Sequence, residues 1–115
     1  MASDSLYPKE FGGNLGDTEI LCWDYQSDAT RALLVMGGKS SSGDVVTHAG
    51  SGVLIMEDAS NYGTIWSREF YQTSYAGQNF RVQQVVLDLP SNWLFVALNP
   101  IVILKMDSTT AAILL

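Results

Sequence analysis

The chain is expected to be all-β, built from two four-stranded antiparallel units, and three observations lead there. Residues 53–58, Val-Leu-Ile-Met-Glu-Asp, return in altered form at residues 102–107 as Val-Ile-Leu-Lys-Met-Asp, which marks one supersecondary unit written twice. Apolar runs of strand length are bounded by Gly, Pro, Asn, Asp and Ser, the residues that end strands and make turns. No long stretch carries a helical period that would compete.

The repeat extends upstream of that echo. Ile20 aligns with Val82 at an offset of 62 residues and Leu33 with Leu94 at 61, whereas Val53 aligns with Val102 at 49 and Ile65 with Ile113 at 48. The second unit is therefore shorter by 12 residues, and the loss falls between Val35 and Val53. There the first unit carries Gly37-Gly38-Lys39-Ser40-Ser41-Ser42-Gly43 and the second only Leu98-Asn99-Pro100. Length variation in a Gly/Ser-rich connection marks a tolerant loop between fixed strands, so Gly37–Gly52 is expected to be a loop that can be shortened with little loss of stability. The chain divides into a polar N-terminal segment at 1–17, a first unit at 18–73 and a shortened second unit at 74–115.

Strands are expected at Glu19–Tyr25, Arg31–Met36, Gly52–Glu57 and Thr64–Tyr71 in the first unit. In the second they are expected at Phe80–Leu89, Trp93–Leu98, Pro100–Met106 and Ala112–Leu115. The runs Leu33–Met36, Val53–Met56 and Ile101–Leu104 are continuously apolar, which suits strands buried on both faces and requires a layer on each side. Four-stranded units stacked face to face around an axis meet that requirement.

Four segments carry a family resemblance: Phe11-Gly12-Gly13, Gly37-Gly38-Lys39-Ser40-Ser41, Val53–Asp58 and Gly63-Thr64-Ile65-Trp66. In this order they resemble the blades of β-propeller repeat proteins, and Asp58 to Trp66 is similar to the Asp…Gly…Trp stretch of quinoprotein-type blades. The resemblance implies a partial propeller of two blade-like units, with Trp66 locking one unit to the next. The second unit departs from the pattern, since Ala111-Ala112 replaces the Gly and Leu114 stands in place of Trp66. A β-sandwich of seven or eight strands, with the two units as facing sheets, suits the same length and is the alternative.

A propeller ring needs about four to eight blades, so two alone would leave open faces and edges. With 47% hydrophobic and only 16% charged residues, the chain is expected to cover such surface by association. Its last residues, Ala111–Leu115, stop in mid-pattern without a polar cap, which adds to the expectation of a partner-completed edge. Net charge −6 and a pI near 4.4 argue against nucleic acid and anionic membranes, because no basic stripe is present to meet phosphates. The longest apolar stretch, Trp93 to Leu104, is interrupted by Asn99-Pro100 and is far short of the roughly 20 residues of a spanning helix. Residues 1–17 lack a basic start followed by an apolar run, so no secretory signal is seen. The chain is thus expected to be soluble, and its single cysteine, Cys22, suits a reducing, cytoplasmic setting without fixing one.

Candidate chemistry is sparse. His48, the only histidine, sits near Ser40, Ser41 and Ser42, and a base–nucleophile pair can be drawn among them, although a solvent-exposed loop histidine is the simpler reading. Cys22 lies in an apolar run with Glu19 and Asp24 as its near charges, the opposite of what activates a thiol. One Cys and one His cannot supply a structural zinc site. Asp58 to Glu69 partly fits a calcium loop, but Tyr62 fails at the fifth position and the flanks read as strands. No catalytic residue, cofactor site or metal site is therefore expected. Tyr62, Tyr71 and Tyr75, near turns, are the candidate contact residues. The expected function is a non-catalytic binding or scaffold module that meets a protein partner or further copies of itself through open blade edges. The alternative is a fragment of a quinoprotein-like or hydrolytic propeller enzyme whose site lies in blades outside this chain.

Overall fold

The computed structural model describes residues 17–43, 45–47, 50–71, 80–99 and 102–114. They form seven strands: β1 (Thr18–Ser27), β2 (Ala32–Ser40), β3 (Ser51–Asp58), β4 (Gly63–Phe70), β5 (Arg81–Asp88), β6 (Trp93–Asn99) and β7 (Val102–Asp107). All pairings are antiparallel between chain neighbours, giving a four-stranded sheet β1-β2-β3-β4 and a three-stranded sheet β5-β6-β7. The protein is thus all-β with two antiparallel sheets. No helix among the described residues is long and apolar enough to cross a membrane. The eighth expected strand is reduced to one bridge between Met106 and Ile113, beside which the Leu114 N–H donates to the Lys105 carbonyl at 2.7 Å.

Local chemistry closes the hairpins. At β1–β2 the Asp28 carboxylate accepts the N–H groups of Thr30 (2.8 Å) and Arg31 (3.0 Å). At β3–β4 the Asp58 carboxylate accepts the Ser60 N–H at 2.9 Å, and Tyr62, at φ 63°, returns its N–H to the Asp58 carbonyl. The turn after β7 repeats this design. Asp107 accepts the Thr109 N–H at 2.8 Å, and Ala111, at φ 64°, returns its N–H to the Asp107 carbonyl. Short carboxylates that bond the backbone two residues on are what make Asp a turn residue. The first hairpin of each sheet also carries a bulge, at Leu21 and at Gln83, separated by the same 62 residues that align Ile20 with Val82.

One expectation fails at Gly37–Ser40. These residues lie in β2, not in a loop, and pair with β1 on one side and β3 on the other. The connection between β2 and β3 spans only residues 41–50, so a deletion across Gly37–Gly52 would remove paired strand. The glycines are there for close approach. A Cβ at Gly37 would collide with the Val82 side chain, and one at Gly52 would stand 2.8 Å from the Phe80 carbonyl oxygen, so both mark where β5 crosses the first sheet. The difference between the units is likewise in the strands as well as the loop. β2 and β3 have nine and eight residues, β6 and β7 seven and six.

A register difference follows. Val35 lies opposite Met56, whereas its counterpart Val96 lies opposite Leu104, so strand pairing relates the third strands at an offset of 48 and not the 49 of the echo. A slip of one residue turns every side chain to the other face. Leu54 is fully buried, while its echo Ile103 is 72% exposed.

The core lies between the sheets. Leu33, Val35, Leu54 and Met56 of the first sheet join Val82, Val85, Leu87, Leu94, Val96, Leu98 and Met106 of the second in one cluster. Burial of each such side chain contributes roughly 1.5–3 kcal/mol. Leu33 and Leu94, like Val35 and Val96, are related by the 61-residue offset, so equivalent faces of the two units meet. β2 and β3 are buried on both faces as their apolar runs predict. The third run is not, because Val102 and Ile103 are exposed.

Candidate functional site

Polar side chains on β1 hold the second sheet by its edge. Asp24 accepts the Leu87 N–H at 2.8 Å and Gln26 accepts the Leu89 N–H at 2.9 Å, while the Gln26 amide donates to the Leu87 carbonyl. Arg31 donates to the Leu89 carbonyl at 2.9 Å and to the Asn92 side chain at 2.6 Å. β5 is an edge strand, and these groups satisfy backbone that would otherwise lack partners. At the far side of the first sheet, the Trp66 indole N–H donates to the Ser108 carbonyl at 2.9 Å and Arg68 donates to the Ala111 carbonyl. Asp24 and Gln26 occupy the positions of Val85 and Leu87 in the second unit, and that polar-for-apolar exchange on a buried face is the signal that could have revealed them.

The candidate residues do not converge. Tyr62 lies at the turn before β4 and Tyr71, 43% exposed, just beyond its other end, so at about 3.4 Å per residue they are about 30 Å apart. Tyr75 and His48 lie outside the described residues. Ser40 is buried and exchanges a 2.7 Å hydrogen bond with Thr18. Burial pushes the Cys22 thiol above its ordinary value, against a smaller lowering by a backbone hydrogen bond of Gly37, and the net effect keeps the sulfur protonated and a poor nucleophile. Asp58 and Glu69 stand at opposite ends of the β3–β4 hairpin, so they do not form a calcium loop. Glu69 instead anchors the 41–50 connection, accepting from the Thr47 N–H (3.0 Å) and hydroxyl and from the Ser51 hydroxyl (both 2.7 Å). Glu57 is buried on the sheet face away from the core, whereas its echo Met106 points into the core. Among the described residues, no three His, Cys, Asp or Glu side chains are grouped to hold a metal ion.

The turn carboxylates are perturbed. Asp28 and Asp107 are held below the usual carboxylate range mainly by backbone N–H donors, from Thr30 and Thr110, and Asp58 mainly by the Ser60 hydroxyl. A depressed folded value stabilises the fold above the unfolded value, and that contribution is lost as pH falls through the folded one. The melting temperature is therefore expected to drop more steeply below about pH 4 in the native chain than in an Asp28→Asn, Asp58→Asn, Asp107→Asn variant, whose amides keep the acceptor without titrating. Equal slopes in a pH series of thermal melts would contradict the assignment.

What remains is a surface. The outer face of the second sheet is a grid of three cross-strand rows, Asp88–Trp93–Asp107, Val86–Phe95–Lys105 and Gln84–Ala97–Ile103. Alternation along the strands turns these residues away from the core. Ile103 is 72% exposed, Val86 49% and Trp93 37%. Trp93 and Phe95 meet edge to face at 6.2 Å, and the Lys105 ammonium lies 3.7 Å from the Trp93 ring centroid. These contacts hold the two rings at right angles to each other, with the ammonium against the indole. Comparison with protein-family models, curated proteins and solved structures finds no match.

Proposed function

We propose that the chain is a non-catalytic association module, in which two blade-like sheets support an apolar face that meets a protein partner. The observation that carries this reading is the contiguous exposure of Val86, Trp93 and Ile103 on one sheet face, a type of patch that marks interaction sites. The face is favoured over the edges. β4, the free edge of the first sheet, has a bulge at Ile65 and the charged residues Arg68 and Glu69, devices that blunt edge-to-edge pairing. The reading is tested by isolating the tagged chain in its native complex and rebuilding that complex from purified components. A companion that reassembles at fixed stoichiometry, and is lost on Ile103→Ser, is the expected result. A pure chain that turns over a hydrolase or dehydrogenase substrate would overturn it.

A further inference from the structure

We infer that the outer face of the second sheet docks on the same face of a second copy of the chain, across a twofold axis that crosses the strands, an inference that rests on the association reading above. The face has four cross-strand rows, because Arg81, paired with Asn99 and followed by the inward Val82, adds one to the three of the grid. Its charges balance, Asp88 and Asp107 against Arg81 and Lys105, so two acidic copies of net charge −6 meet here without a like-charge excess in the contact. Two of the four are already engaged. Lys105 lies against the Trp93 ring, and the Asp107 carboxylate accepts the Thr109 and Thr110 N–H groups of its own turn. The other two, Arg81 and Asp88, stand at opposite ends of β5, where the Arg81 Nε donates to the Gln83 side chain at 3.1 Å.

That polarity is self-complementary for one of the two directions a twofold axis can take in the contact plane. An axis along the strands lays β5 over β7 of the second copy and opposes Asp88 to Asp107 twice. An axis across the strands runs each β5 antiparallel to its copy and opposes Asp88 to Arg81 twice. Centred between the two middle rows, it also sets Gln84–Ala97–Ile103 over Val86–Phe95–Lys105 of the second copy, so that the small Ala97 receives the Phe95 ring. Sheets packed face to face stay within about 30° of alignment, which keeps these rows opposed. At about 6.8 Å between rows and 4.8 Å between strands the face covers about 400 Å² per copy, well below what a permanent dimer buries, so the pair is a reversible one.

The test is sedimentation equilibrium of the full chain over a range of concentrations. A monomer–dimer equilibrium is expected, weakened at least about tenfold by Ile103→Ser. Arg81→Asp and Asp88→Arg should each weaken it about tenfold, because each turns two attractive pairs into two repulsive ones. Mixed in equal amounts, the two variants should dimerise again, since one copy then presents two carboxylates to the two cations of the other. These side chains lie on the outer face, so unchanged melting temperatures serve as the folding control. A dimer untouched by Ile103→Ser, or a mixture no tighter than its components, would overturn the twofold contact. A chain that stays monomeric while its native complex still depends on Ile103 overturns the second copy and gives the face to a different protein, and the association reading survives. If that complex is absent as well, both fail.

Discussion

Replacing Trp66 by Ala is expected to cost about 3–5 kcal/mol, a large share of the stability of an ordinary domain. Trp66 projects from β4, packs against the core cluster that joins the sheets, and donates its indole N–H to the Ser108 carbonyl in the turn that follows β7. Truncation leaves a cavity between two sheets that are each held by their own ladders and cannot close on it. It also strips a carbonyl of its donor. Ile65→Ala is the control on the same strand. Ile65 is the bulged residue, 48% exposed, and its loss should change stability by no more than about 0.5 kcal/mol. Urea midpoints of the two variants check the contrast, and equal midpoints would remove Trp66 from the inter-sheet contact.

Gly38→Ala is expected to be almost as damaging, at about 3 kcal/mol, because a Cβ there runs into the main-chain carbonyl of Glu19. Gly37→Ala meets a different obstacle, the side chain of Val82 on the opposing sheet. The two positions should therefore separate on rescue. Val82→Ala should recover part of the stability lost in Gly37→Ala and none of that lost in Gly38→Ala, as double-mutant cycles in thermal denaturation would show. Rescue of both, or of neither, would contradict the observed crossing of β5 over β2.

Much of the fold is legible in the chain because its determinants are local. Period and turn residues are sufficient to place seven of the strands, and the Asp58 and Asp107 turns repeat because each uses its own carboxylate and its own positive-φ residue. The candidate site was less legible. Tyr62 and Tyr71 share a strand's vicinity in sequence but stand at its two ends, whereas Trp93, Phe95, Lys105 and Ile103 become one surface only when β6 and β7 pair.

The sequence by itself determined the all-β class, the antiparallel hairpins and the buried β2 and β3 runs. Tertiary structure decided three further things. It turned Gly37 and Gly52 from apparent loop residues into the crossing point of the sheets, since a close approach depends on what lies opposite and not on neighbours in the chain. Asp24 and Gln26 became the clamp on β5, because a polar residue on a buried face is stable only with a partner some 60 residues away. The β6–β7 register slipped by one residue against the echo, sending Met106 inward and Ile103 outward. Register is set by which face can be buried, and that choice exists only once there is a second sheet to bury it against.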